Sequence, residues 1–105
     1  MRYPSVQGFQ GRRPSPQADE VEIGVTVVGS TRVRVILDPD WASLVCLRVA
    51  PGEAVQYLGV VTGADTDTPN LRLTTEQSWR FPTPEIRESL RGSVLALFAA
   101  WKERQ

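Results

Sequence analysis

Histidine is absent from the 105 residues, and cysteine occurs once. The first absence removes the commonest general base and the commonest metal ligand. The second rules out an internal disulfide, so nothing argues for an oxidising compartment. Net charge is lacking too, since twelve Lys and Arg balance twelve Asp and Glu. That balance means no strongly basic or acidic body announces a nucleic-acid or membrane partner. No apolar run approaches the roughly eighteen residues of a membrane-spanning helix. Met1-Arg2-Tyr3-Pro4-Ser5 carries no apolar signal core. A chain of this length supports one domain with a modest core. The expectation is a cytoplasmic domain that spans no membrane.

Catalytic chemistry has little to work with. Cys46 sits among Leu44, Val45 and Leu47, and a thiol buried in apolar surroundings with no histidine to activate it is inert. There is no Gly-x-Ser-x-Gly elbow and no glycine-rich phosphate loop. Counting Asp65 as the first position of a calcium loop puts Asp67 at the third and Glu76 at the twelfth, but Pro69 and Asn70 then fill the fifth and sixth. The sixth position requires glycine, so this segment reads as a solvated turn, as does Asp38-Pro39-Asp40. No catalytic, cofactor-binding or metal-binding residue is assigned, and the chain is expected to be non-catalytic.

Residues 1–20 hold Pro4, Pro14, Pro16, Gly8 and Gly11, with only Tyr3, Val6 and Phe9 as sizeable apolar side chains. Such a segment buries too little surface to offset its ordering entropy and reads as a flexible arm, made locally basic by Arg2, Arg12 and Arg13. From Val21 onward, residues 21–105 read as one β-rich domain. Val21, Ile23, Val25 and Val27 alternate with polar or small residues, and Val33, Val35 and Leu37 do the same after Gly29-Ser30-Thr31. This predicts a β-hairpin. A three-residue loop pairs Val27 with Val33, Val25 with Val35 and Ile23 with Leu37, making one face wholly apolar; a two-residue loop would mix the faces, so the longer loop is predicted. Residues 42–49 are apolar on both parities, as in a central strand covered on both sides; on periodicity alone a short helix fits as well. Pro51-Gly52 marks a turn, and residues 54–61 another strand with Gly59 at a bulge. Leu71 to Leu73 and Trp79 to Phe81 read as a second, shorter hairpin.

The C-terminal segment reads as a helix over 84–103. Thr83 is placed as N-cap, Pro84 as the first helical residue and Glu85 in the opening turn, with Lys102 near the far end. Ile86, Leu90, Val94, Leu97, Phe98 and Trp101 form its apolar stripe. The fold class that follows is α+β: a curved antiparallel sheet or partial barrel of about five or six strands, with one long terminal helix packed on it.

Two features point to function. Gly92, Ala96 and Ala100 recur at four-residue spacing on the helix away from its stripe, and small residues so placed permit close backbone approach. The strands between 42 and 61 also carry more apolar positions than one covered face needs. Together these predict a self-associating protein-interaction module, a homodimer, with Gly92, Ala96 and Ala100 as its helix face. The alternative is a single-stranded nucleic-acid or other polyanion binder. Eleven of the twelve basic residues are arginine, and Arg32, Arg34, Arg72 and Arg80 fall on predicted strands. In the second hairpin Arg72 would stand opposite Arg80, a like-charge pair that an anion between them would relieve.

Overall fold

Alternating β-branched residues, turn residues and one capped helix divide the chain into six main elements. The computed structural model describes residues 21–38 and 43–105. The expected arm over 1–20 lies outside them, as do Pro39 and Asp40 of the expected turn. Strands β1 (Val21–Val28), β2 (Thr31–Leu37), β3 (Ser43–Arg48), β4 (Gln56–Thr62) and β5 (Asn70–Leu73) lie side by side in chain order, each antiparallel to the next. Among the described residues the sheet has five strands and does not close, so β1 and β5 are its edges there. Helix α1 (Pro84–Glu103) follows and packs on the sheet, chiefly against β1. The α+β class and the terminal helix agree with the sequence, and the helix occupies the expected residues.

The first hairpin has a different register from the one expected. Val28 pairs with Thr31 across a two-residue Gly29-Ser30 turn, Val27 with Arg32, Thr26 with Val33 and Val25 with Arg34. Gly29 takes φ 61°, the left-handed conformation that the short hairpin turns require. The shorter loop is accommodated because a bulge between Glu22 and Gly24 shifts the strand by one residue. Ile23 is thereby returned to the core while Val25 and Val27 turn outward. The helix explains why the inner face need not be all valine: a Cβ on Gly24 would lie 3.2 Å from Leu97 Cδ2. Gly24 is the place where α1 comes down onto the sheet.

Strand β3 is central, with Leu44 and Cys46 buried on the helix side and Val45 and Leu47 on the other. The short-helix alternative for this segment is therefore set aside. Val45, Leu47 and Ile36 form a second cluster with Tyr57 against it. Ala50-Pro51-Gly52-Glu53 forms the expected turn, with the Glu53 amide donating to Ala50 O (3.1 Å) and Gly52 at φ 74°. Opposite Cys46 and Leu47 the β4 register shifts by one residue, beside the expected Gly59.

The second hairpin does not form. Strand β5 pairs with β4 alone, and Ser78–Arg80 is a single 3-10 turn. Phe81 is fully buried while Trp79 stands 65% exposed, so the apparent alternation across 79–81 belongs to a turn whose side chains diverge. Thr83 caps α1 as expected, its hydroxyl accepting from the Ile86 amide at 3.2 Å. Leu90, Val94, Phe98 and Trp101 form the buried stripe. Ile86 and Leu97 are partly buried and pack against the same core from its flank.

Candidate association surfaces

The four strand-borne arginines are not gathered into one site. On β2, Arg32 and Arg34 share the sheet face away from the helix, and Arg34 is ion-paired to Glu22 at 2.8 Å. On β5, Arg72 lies opposite Val60 on that same face. It is three strands from β2, or about 14 Å at the usual strand spacing, with Val45 and Val60 between. Arg80 is not on a strand. Its Nε donates to Gln77 Oε1 (2.7 Å) and its guanidinium lies 4.3 Å from the Trp79 ring centroid. The expected Arg72–Arg80 facing pair is thus replaced by an exposed arginine–tryptophan stack.

The helix surface divides into two unlike flanks. Toward β5 it is charged: Arg91 grips Glu88 through two bonds (3.1 and 2.6 Å) and donates to Pro69 O (3.3 Å). That hydrogen bonding holds the Glu88 carboxyl below its ordinary range. Toward β1 the helix is nearly neutral. A groove of about 510 Å³ there is lined by Val27, Gly29, Ile86, Ser89 and Ser93, with Glu85 its one charged lining residue among those described. Gly92, Ala96 and Ala100 are all exposed. At about 100° per residue Ala100 and Ala96 lie about 60° and 100° round the helix from Leu97, whereas Gly92 lies about 140° away. Two members of the small-residue row therefore lean toward the β1 flank, and Gly92 points outward with nothing within 4 Å of an added Cβ.

Strand β1 completes this flank. The two-residue turn makes Val28–Thr31 a hydrogen-bonded pair, so the ladder alternates Val28, Thr26 and Gly24 toward β2. The N–H and C=O groups of Val25 and Val27 then point away from the sheet, and no described strand pairs with them. Their side chains are 45% and 58% exposed. Among the described residues of β1, Glu22 is the one charge, and Arg34 neutralises it.

The other reactive groups are quiet. Burial pushes the Cys46 thiol up to about 12, which suppresses the nucleophilic thiolate. Asp65 and Asp67 are exposed in a turn closed by the Thr66 amide on Gly63 O (3.0 Å). Among the described residues no three His, Cys, Asp or Glu side chains gather as a metal site, and no helix is long and apolar enough to cross a membrane. No protein family, curated protein or solved structure matches the chain. Sequence pattern placed Val25 and Val27 in the core and missed this edge. The signal that could have found it was Gly24, whose missing side chain beside Val25 marks an inward position where another element comes close.

Proposed function

We propose that the chain is a non-catalytic association module that pairs with a second copy of itself along β1. The observation that carries this reading is the β1 edge, where outward backbone groups and exposed Val25 and Val27 coincide. An apolar edge strand is a template for further pairing unless charge, proline or a covering element blunts it, and the bulge at Ile23 lies before the Val25–Val27 stretch that would pair. An antiparallel pairing centred on Thr26 sets Val25 against Val27 of the second copy, and the reverse. Four valines then meet on one face, while the Ser89, Ser93, Ala96 and Ala100 flanks of the two helices approach on the other. A two-fold axis generates both contacts at once, as closed symmetry demands. Near-neutral flanks suit self-association because neither copy brings a like charge to the other. A cytoplasmic location belongs to the same reading.

Light scattering on the full chain tests it. The expected mass is about twice the 11.7 kDa of one chain, falling to one chain in Val25→Glu/Val27→Glu, where the positions are exposed and each carboxylate faces Arg34 or Arg32 within the monomer while meeting its like across the two-fold axis. A single-chain mass for the unaltered protein at high micromolar concentration overturns it.

The exposed Trp79–Arg80 stack supports a second reading, the polyanion binder, because an aromatic face beside a guanidinium can receive a base and a phosphate. That reading expects retention of single-stranded oligonucleotide at low salt, lost in Trp79→Ala, and binding that weakens as salt rises.

A further inference from the structure

At the opposite edge of the sheet, β5 and the charged flank of α1 enclose a groove of about 580 Å³. Its floor is Leu71 and Leu73, and its helix wall is Pro84, Arg87, Glu88 and Arg91. The Thr74 amide donates to Leu58 O at 2.9 Å. Antiparallel alternation therefore turns the backbones of Asn70, Arg72 and Thr74 toward β4 and those of Leu71 and Leu73 outward into the groove's mouth. Among the described residues no strand pairs with that side.

We infer that this groove binds an extended, acidic peptide segment of another protein as a sixth strand. Backbone pairing to Leu71 and Leu73 would supply affinity without regard to sequence, and the half-buried leucine side chains would receive an apolar residue of the peptide. Charge selects its sign. Arg87 donates through Nε to Phe81 O, and its two terminal nitrogens have no described partner, so they remain to grip a carboxylate in bidentate fashion. Arg91 is held in place by Glu88 and Pro69 O, and the N-terminal end of α1 at Pro84 adds positive potential. Two guanidiniums against one carboxylate leave the lining net positive. The nearby Asp65, Asp67 and Glu76 are exposed and do not line it. The same balance disfavours a second copy here, because each copy would bring Arg72, Arg87 and Arg91 to the other.

The probe is a positional library of acetylated hexapeptides alternating Glu with Val, Leu, Ile or Phe, titrated into the isotope-labelled full chain and followed by amide shifts. A matching series has Lys in place of Glu. The expected shifts are confined to Leu71, Leu73 and the Arg87–Arg91 turn, with the Glu series binding at least tenfold more tightly. Arg87→Gln keeps a donor for Phe81 O but removes the charge, and it is expected to abolish the preference for Glu over Lys. Leu71→Pro deletes an outward N–H without touching the β4 ladder, and it is expected to weaken both series. Absence of localised shifts at millimolar peptide, equal binding of the Lys series, or the same shifts produced by an oligonucleotide and not by peptide would each overturn the inference. Val25→Glu/Val27→Glu alters the other edge and is expected to leave this titration unchanged, so failure here and failure of self-association are read separately.

Discussion

Cys46 and Gly59 face each other across β3 and β4, and each is governed by the absence of room. At Cys46 burial raises the thiol from its ordinary 9.0 to about 12. The folded chain therefore keeps a proton that the unfolded chain releases as the pH climbs through that interval. Stability contributed by this group is whole below pH 9 and is lost toward pH 12, at up to about 1.4 kcal/mol per unit. Urea denaturation at stepped alkaline pH is expected to show a steeper loss than in Cys46→Ala, and iodoacetamide is expected to label the thiol only after unfolding. Tyr57 is raised in the same direction by burial and by the Cys46 charge, so the difference between protein and variant reports the thiol together with its coupling to Tyr57. At Gly59 the limit is steric: a Cβ would collide with the Arg72 carbonyl oxygen and sit 2.9 Å from Leu73 Cα. Both obstacles are backbone, which cannot rotate away. Gly59→Ala is expected to cost about 1–3 kcal/mol and to speed hydrogen exchange at the Thr74 amide, whose bond to Leu58 O closes that end of β5.

At the level of elements, legibility followed how local the deciding physics was. Helix α1 was readable to its ends because Thr83 and Pro84 act within one turn of themselves. The Pro51-Gly52 turn was readable for the same reason, and β3 because burial on both parities leaves an apolar run. The first hairpin was not, since its register depends on a bulge and on Leu97 seated over Gly24, a contact some seventy residues distant in the chain. Nor was the Ser78–Arg80 turn, where a period of two across Trp79 and Phe81 imitates a strand too short to test. The proposed association edge was hidden by the same misreading, for a one-residue slip exchanges the faces of Val25 and Val27, which lie after the bulge. Gly92 gives an element-scale prediction. Nothing lies within 4 Å of a Cβ there, so Gly92→Ala is expected to stabilise the fold by about 1 kcal/mol, read as a higher urea midpoint. Because Gly92 points away from the β1 flank, the oligomeric mass is expected to stay unchanged. Loss of the dimer would instead mean that the helices meet along the full Gly92, Ala96 and Ala100 row.

For the whole molecule, overall neutrality conceals two different edges. The β1 edge presents valines, serines and alanines, whereas the β5 edge presents Arg72, Arg87 and Arg91. Among the described residues an open sheet of five strands leaves both edges to be managed, and the two differ in charge: on β1 Glu22 is already paired to Arg34, whereas the β5 edge is cationic. Because α1 packs chiefly on β1, the proposed pairing along β1 would also anchor the helix and couple association to folding. That coupling has a thermodynamic signature. A species that forms only from folded chains stabilises them by mass action, and its melting temperature rises with protein concentration. Each tenfold increase in concentration adds about 1.4 kcal/mol of association driving force, enough to raise the melting temperature by a few degrees in a domain of this size. Calorimetry from about 10 to 1,000 μM is expected to show that rise in the unaltered chain. In Val25→Glu/Val27→Glu, where each carboxylate faces Arg34 or Arg32 within the monomer, the melting temperature is expected to be independent of concentration and to match the dilute limit of the parent. A variant that melts well below that limit would show that the two valines support the monomer itself. A flat profile in the unaltered chain would remove the coupling, and with it the reason to place the partner on β1.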